Sequence, residues 1–242
     1  MLLAVGFAPH PPLLVPEIAG SAAVRTEHLR HACDDALTTL AGVAPERIVV
    51  LGCAPVDGPL AATTGSLAPY GRDVSVHLCP GQSAVAGLPL AHTIGAWLLT
   101  EHAAPLTGVR SAFGITADAD AAAVAAVAAS LRELLDGDER TVLLVMGDGS
   151  ACRNEKAPGT LDPRALPHDE AVAEALRTVD LDELERLDPA VDAELMVAGR
   201  APWQVAAALV RANGGREDWS GWLHSHEAPF GVGYLVAAWI RH

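Results

Sequence analysis

The chain has 242 residues and a formal net charge of −14, and half of its residues are hydrophobic although few are aromatic. A chain of this length can bury enough surface to fold without disulfides or a structural metal. Its strong negative charge would repel the phosphates of nucleic acids and anionic membrane surfaces, so neither is expected as a partner. The four cysteines form no CxxC pair, which argues against zinc-knuckle and thioredoxin-type sites.

The N-terminal segment opens with a short apolar stretch and then reaches the proline cluster Pro9-His10-Pro11-Pro12. It has no basic region, and the prolines would interrupt the apolar core of a secretory signal. No apolar run approaches the roughly 18 residues of a membrane span. Because reduced cysteines also suit the cytosol, we expect a cytoplasmic protein whose first residues form a core strand.

Apolar strands and amphipathic helices alternate along the chain. Strands are predicted at Leu2–Ala8, Arg47–Cys53, Val74–Leu78, Val109–Ile115, Thr141–Met146 and Gly233–Ile240. Helices are predicted at Ser21–Leu40, Leu90–Ala103, Ala119–Leu135, His168–Val179, Leu181–Leu187, Pro189–Ala198 and Pro202–Asn213. This alternation predicts an α/β fold: a single domain over residues 1–242, with a mainly parallel central sheet flanked by helices on both faces.

Three predicted strands end in unusual residues, and open α/β sheets bind ligands beyond the carboxyl ends of their strands. His10, held between prolines, has little freedom and suits a metal ligand or an acid/base group, although a histidine bonded to nearby backbone is the alternative. Asp57 follows the second strand. Asp148 and Ser150 follow Thr141–Met146 between glycines that would let a ligand approach, although an Asx turn would use Asp148 equally well. We expect these four side chains to lie in one pocket region.

Further candidates lie elsewhere in the chain. His224 and His226 would share a side of an extended segment and could bind a metal there. A polar loop before the final strand is the favoured interpretation, because a metal site needs more ligands than these two. His168 opens a predicted helix and is expected at the surface. Cys53 and Cys152 follow predicted strands and are expected to be small hydrophobic residues rather than nucleophiles.

Four regions of the chain together resemble one superfamily. They are PHPPLLVPEI at residues 9–18, VVLGCAP at 49–55, GDGSACRNEKAPG at 147–159, and AELMVAGRAPWQV at 193–205 with APFGVGYLVA at 228–237. This set is similar to the LigB/Memo superfamily, which comprises the B subunits of class III extradiol ring-cleavage dioxygenases and the related Memo proteins. The resemblance extends over nearly the whole chain and implies the LigB/Memo fold.

The resemblance also implies a set of site residues. Enzymes of this superfamily hold non-haem Fe(II) with two histidines and a carboxylate, and use a further histidine as acid and base. His10 matches the first of the iron-binding histidines. The place of the second falls on Pro55 or Val56, and the place of the acid/base histidine falls on Ala151. Glu194 is the nearest candidate for the carboxylate.

These replacements favour a divergent dioxygenase-like protein with a degenerate iron site. It would bind a small aromatic or anionic ligand in the inherited cleft, with Arg153, Lys156 and Arg200 as charged contacts. Fe(II) or another divalent metal is implied by the resemblance but expected to be absent. Two alternatives stay open: an active extradiol-type dioxygenase for a catechol-like substrate, with its metal relocated to His10, Glu194 and a C-terminal histidine, and a non-enzymatic interaction protein. A homo-oligomer is compatible with all three.

Overall fold

The computed structural model describes residues 1–101 and 106–242. The strands in these residues are β1 (Leu2–Ala8), β2 (Arg47–Cys53), β3 (Gly58–Leu60), β4 (Thr64–Ser66), β5 (Ser75–His77), β6 (Val109–Ile115), β7 (Thr141–Met146), β8 (Trp219–Glu227) and β9 (Tyr234–Arg241). The α-helices are α1 (Pro16–Ala19), α2 (Glu27–Ala41), α3 (Leu90–Glu101), α4 (Ala121–Leu135), α5 (Ala165–Thr178), α6 (Leu181–Glu185), α7 (Pro189–Glu194) and α8 (Arg200–Ala212).

Seven of these strands form one sheet in the order β3-β6-β2-β7-β1-β9-β8. The four central strands, β6, β2, β7 and β1, are parallel. Antiparallel strands extend the sheet on both sides, with β3 beside β6 and with β9 and β8 beyond β1. A separate antiparallel pair is formed by β4 and β5. Central strands buried on both faces are what continuous apolar runs such as TVLLVM predict.

Helices cover both faces of the sheet. One face packs against α4, α5, α6 and α8, and the other packs against α2 and α3. The side chains of β7 alternate between these two cores, with Leu143 in the first and Leu144 in the second. The predicted α/β architecture, with a mostly parallel sheet between helices, is therefore confirmed. No helix in the described ranges has both the length and the apolar character that a membrane crossing requires.

Several predicted elements differ in extent or place. Over Ser21–Leu40 the chain first forms a 3-10 helix at Gly20–Thr26, and the α-helix begins only at Glu27. The strand predicted at Val74–Leu78 is shorter and belongs to the separate β4–β5 pair rather than to the main sheet. The last two residues of the helix predicted at Leu90–Ala103 lie outside the described residues.

The polar loop predicted around His224 and His226 is wrong, because these residues belong to strand β8. Strand β8 is the outermost strand beyond β9, so most of its side chains are only partly buried and polar residues are tolerated. A register shift between Leu223 and Ser225 interrupts its pairing with β9. An edge strand of this kind lacks the continuous apolar pattern that identifies the central strands.

The connections of β1 and β7 diverge. The chain leaves β1 for α2 on one face of the sheet and leaves β7 for α5 on the other. Neighbouring parallel strands with diverging connections leave a crevice beyond their carboxyl ends, which is where α/β proteins bind ligands. Since β1 and β7 are neighbours, the fold directs attention to the loops that follow Ala8 and Met146.

Because β7 is covered on both faces, shortening a side chain on either face should be costly. We expect Leu143→Ala and Leu144→Ala each to lower the free energy of unfolding by about 2–5 kcal/mol, as is typical of buried leucines. Leu134→Ala on α4, where the side chain is 37% exposed, is the matched control and should cost much less. Urea unfolding measures all three. A small loss for either β7 variant would contradict two-sided burial.

Candidate ligand site at the carboxyl edge of the sheet

The register of β1 against β7 brings His10 and Asp148 together. Ala8 lies beside Met146 in the parallel pairing, and the Gly147 amide donates to the Ala8 carbonyl at 3.0 Å. Two residues beyond this pair in each segment, the His10 amide donates to Asp148 Oδ1 at 2.8 Å. The Nδ1 atom of His10 lies 3.6 Å from the same carboxylate oxygen. Two strand ends that are far apart in sequence therefore form one pair of polar side chains.

The His10–Asp148 pair is largely withdrawn from solvent, with side-chain exposures of 11% and 14%. Burial raises the pKa of Asp148, while the adjacent imidazole and the His10 amide act in the opposite direction. The Nδ1 atom of His10 is buried and has no hydrogen-bond partner, because 3.6 Å is too long for a hydrogen bond. The Nε2 atom makes no hydrogen bond in the described structure and is not among the buried unpartnered atoms. Of the two ring nitrogens, Nε2 is therefore the one left available to a ligand.

His92 on α3 lies close enough to His10 for His10 to lower the pKa of His92, and the sequence analysis missed this residue. Burial lowers the pKa of His92 to about 4, and the neighbouring His10 acts in the same direction. His92 Nε2 lies 2.8 Å from the Phe113 carbonyl, which can only accept, so the proton sits on Nε2. Its Nδ1 is buried without a hydrogen-bond partner. A single histidine in the otherwise apolar helical segment LAHTIGAWL was the available signal.

Two more side chains near Asp148 are uncharged at neutral pH. The Cys53 thiol donates to the Ala198 carbonyl at 3.2 Å, and burial raises its pKa to about 11 although Arg200 partly offsets this. Burial also raises the pKa of the Tyr234 phenol, and Asp148 adds to that effect. A protonated thiol is a poor nucleophile, which fits the hydrophobic role expected for Cys53.

The other residues predicted at this edge form hydrogen bonds or ion pairs with other parts of the chain. Asp57 Oδ1 accepts from the Thr116 amide at 2.7 Å and so ties the loop after β2 to the end of β6. Ser150 is fully buried, and its hydroxyl donates to the Leu195 carbonyl at 2.8 Å. Glu194 is mostly exposed and pairs with Arg164 at 2.9 Å. Within this predicted set, the structure shows a direct contact between His10 and Asp148.

His224 and His226 have different neighbours. The charge of Asp35 on α2 acts to raise the pKa of His224. His226 Nε2, in contrast, lies 3.3 Å from an Arg153 nitrogen. Burial lowers the pKa of both imidazoles. The extra residue of a bulge interrupts the alternation of side chains along a strand, so the two rings do not share a side.

The donor set around His10 does not fit the iron centre that the resemblance implies. Across residues 1–101 and 106–242, no group of three or more His, Cys, Asp or Glu side chains is arranged to hold a metal ion. The places of the second iron-binding histidine and of the acid/base histidine carry Pro55 or Val56 and Ala151. A two-histidine, one-carboxylate site needs ligands that these side chains cannot supply.

A second polar cluster lies behind the turn that carries Asp148. The fully buried Asp169 on α5 accepts from the Ser150 amide at 2.8 Å and pairs with Arg153 at 2.6 Å. His168 Nε2 lies 2.5 Å from Asp192, and its Nδ1 lies 3.5 Å from Asp169. The expectation of a surface His168 is wrong, since its side chain is only 12% exposed and bridges two buried carboxylates. This cluster fixes the far end of the turn.

The bridging position of His168 makes stability depend on pH. Burial alone would lower its pKa, but Asp169 and Asp192 outweigh burial and raise the pKa from 6.5 to about 9. A raised folded-state pKa contributes stability fully below pH 6.5, and that contribution is lost as the pH rises through about 9.

We therefore expect His168→Gln to flatten the dependence of the free energy of unfolding on pH between 6.5 and 9. Denaturant unfolding of the wild-type and variant proteins across this interval measures the effect. His31→Gln, at an exposed position, is the matched control and should keep the wild-type slope. An unchanged slope in His168→Gln would show that the bridge does not hold the proton.

Comparisons with known proteins bear on the fold alone. No family model matches the chain, and no curated protein matches it either. Among solved structures, the chain is similar to the uncharacterized protein JW3007 from Escherichia coli K12, with a TM-score of 0.54 and 16% sequence identity. The match covers 98% of this chain and 99% of that one. The two proteins therefore share an α/β architecture over essentially their whole lengths.

Proposed function

We propose that this chain is a divergent relative of the class III extradiol dioxygenases that binds a small hydroxylated aromatic ligand at His10. The observation that carries the proposal is the contact between His10 and Asp148 at the carboxyl ends of the neighbouring strands β1 and β7. Asp148 accepts from the His10 amide and so fixes the backbone that carries the imidazole, whose Nε2 can accept a hydrogen bond from a ligand. A site with one fixed polar acceptor suits a small ligand with a matching donor.

The charges around the pair favour a phenol over an anion. His92, Cys53 and Tyr234 are uncharged at neutral pH, and Asp148 is the acid in contact with His10. Arg200 acts on Cys53, but its guanidinium donates to Gln204 and to the Ala117 carbonyl. A ligand that is already anionic would be repelled by the Asp148 carboxylate. A phenolic hydroxyl can instead donate to His10 Nε2 while it remains neutral.

The same site supports binding better than turnover. Ala151 occupies the place where the resemblance puts the acid/base histidine, and its side chain cannot move a proton. Losing a general base typically removes about 10²–10⁴-fold in rate. The proposed protein therefore keeps the ligand-binding edge of the fold without the groups that ring cleavage would need.

Titration with catechol, phenol and cyclohexanol, followed by calorimetry or by amide NMR shifts, tests the proposal. We expect catechol and phenol to bind and the non-aromatic cyclohexanol not to bind. His10→Ala should weaken phenol binding by about tenfold or more, as the loss of a buried hydrogen bond does. His31→Ala, which removes an exposed imidazole, should leave the affinity unchanged. Equal affinities in the two variants would disprove a site at His10.

An active metal-dependent dioxygenase is the second candidate, and one observation favours it. A carboxylate close to the Nδ1 of an imidazole is also the usual partner of a metal-bound histidine. Anaerobic Fe(II) titration of the wild-type protein and of His10→Ala distinguishes the two candidates. Tight stoichiometric binding that the substitution abolishes, together with cleavage of catechol, would favour the enzyme over the binding protein.

A further inference from the structure

A cleft of about 320 Å³ lies between α4 and α8, beneath the segment that joins α6 to α7. Its walls are mainly apolar, with Val124 and Ala125 from α4, Leu187 from the connecting segment, Pro189 at the start of α7, and Ala208 from α8. Neither His10 nor Asp148 is part of its lining. The volume lies within the range of pockets that take small molecules, which begins at roughly 300 Å³.

One buried cation lines this cleft. Arg200 is only 3% exposed, and its guanidinium donates to Gln204 Oε1 at 2.8 Å and to the Ala117 carbonyl at 2.7 Å. Both acceptors are neutral, and no carboxylate in the described part of the chain forms an ion pair with it. A guanidinium stays charged at any physiological pH, so its charge is buried without compensation. Such a charge is costly unless an anion completes the site.

The residues next to Arg200 are held by other contacts, and none of these contacts neutralises the charge of its guanidinium. Gln204 Nε2 donates to the Glu185 and Leu187 carbonyls at 3.2 and 3.0 Å, which turns its Oε1 towards Arg200. Glu185, the acidic residue in the lining, directs its carboxylate to Arg211 at 2.9 Å instead. The polar end of the cleft is therefore positive and preorganised.

We propose that the α4/α8 cleft binds a small monocarboxylate with an apolar body. The carboxylate would pair with Arg200, whose planar fork matches it, and the body would pack on Val124, Leu187 and Ala208. Arg200 is also the first residue of the 13-residue helix α8, where the helix dipole adds positive potential. Inorganic phosphate would leave the apolar walls uncovered. The inference is independent of the proposed phenol site.

Calorimetric and NMR titrations with phenylacetate, its neutral isostere phenylacetamide and inorganic phosphate test the chemistry. Phenylacetate should saturate one site and shift the amide signals of α4 and α8. Phenylacetamide and phosphate should bind about tenfold more weakly or worse, since one lacks the charge and the other lacks the apolar body. Equal binding of phenylacetamide or phosphate, or no binding of phenylacetate across the millimolar range, would overturn the proposal.

Two neighbouring positions on α4 supply a matched pair of variants. Ala125 and Ala126 are both exposed, but only Ala125 lines the cleft. Ala125→Phe should fill the cleft and lower the phenylacetate affinity about tenfold, whereas Ala126→Phe and His10→Ala should leave it unchanged. Ala125→Phe leaves Arg200 intact, so its effect does not depend on whether an Arg200→Gln protein folds. Equal affinities in the two phenylalanine variants would refute the site.

Discussion

The parallel pairing of β1 with β7, which is regular from Ala4 to Ala8, determines the geometry of the candidate site. Because Ala8 and Met146 are paired, the residues two positions beyond them meet, and His10 reaches Asp148 through its own amide. The helices that follow these strands diverge to opposite faces of the sheet. The contact between His10 and the buried carboxylate of Asp148 follows from this one strand pairing.

The turn between β7 and α5 connects this site to the second polar cluster. One end of the turn presents Asp148 to β1, while at the other end the Ser150 amide is held by Asp169. The negative charge of Asp169 is in turn paired with Arg153 and lies close to His168. Asp148 is held separately, since it accepts from the His10 amide and its backbone carbonyl accepts from the Ala198 amide at 3.1 Å. The turn is therefore fixed at its two ends by contacts with different parts of the fold.

The sequence predicted the central sheet well because its strands are continuous apolar runs, as in Arg47–Cys53 and Thr141–Met146. It failed at β8, where an edge strand tolerates polar residues, and at His168, whose carboxylate partners come from Asp169 beside it and from another helix. It also missed His92, because a histidine within an apolar helix does not reveal its neighbours. The sequence analysis proposed Arg200 as a charged contact of the cleft that the resemblance implies, whereas its position in the lining of the α4/α8 cleft depends on helix packing that no local pattern encodes.

Both edge strands of the sheet, β3 and β8, have a feature that affects how copies of the chain could associate. At one end, β3 is only three residues long and contains Pro59, which has no amide hydrogen to donate. At the other end, the register shift at Ser225 breaks the regular row of donors and acceptors along β8. Both features discourage a second sheet from adding to the first. A homo-oligomer of this protein would therefore assemble through its helical faces, and a sheet continuous across subunits is not expected.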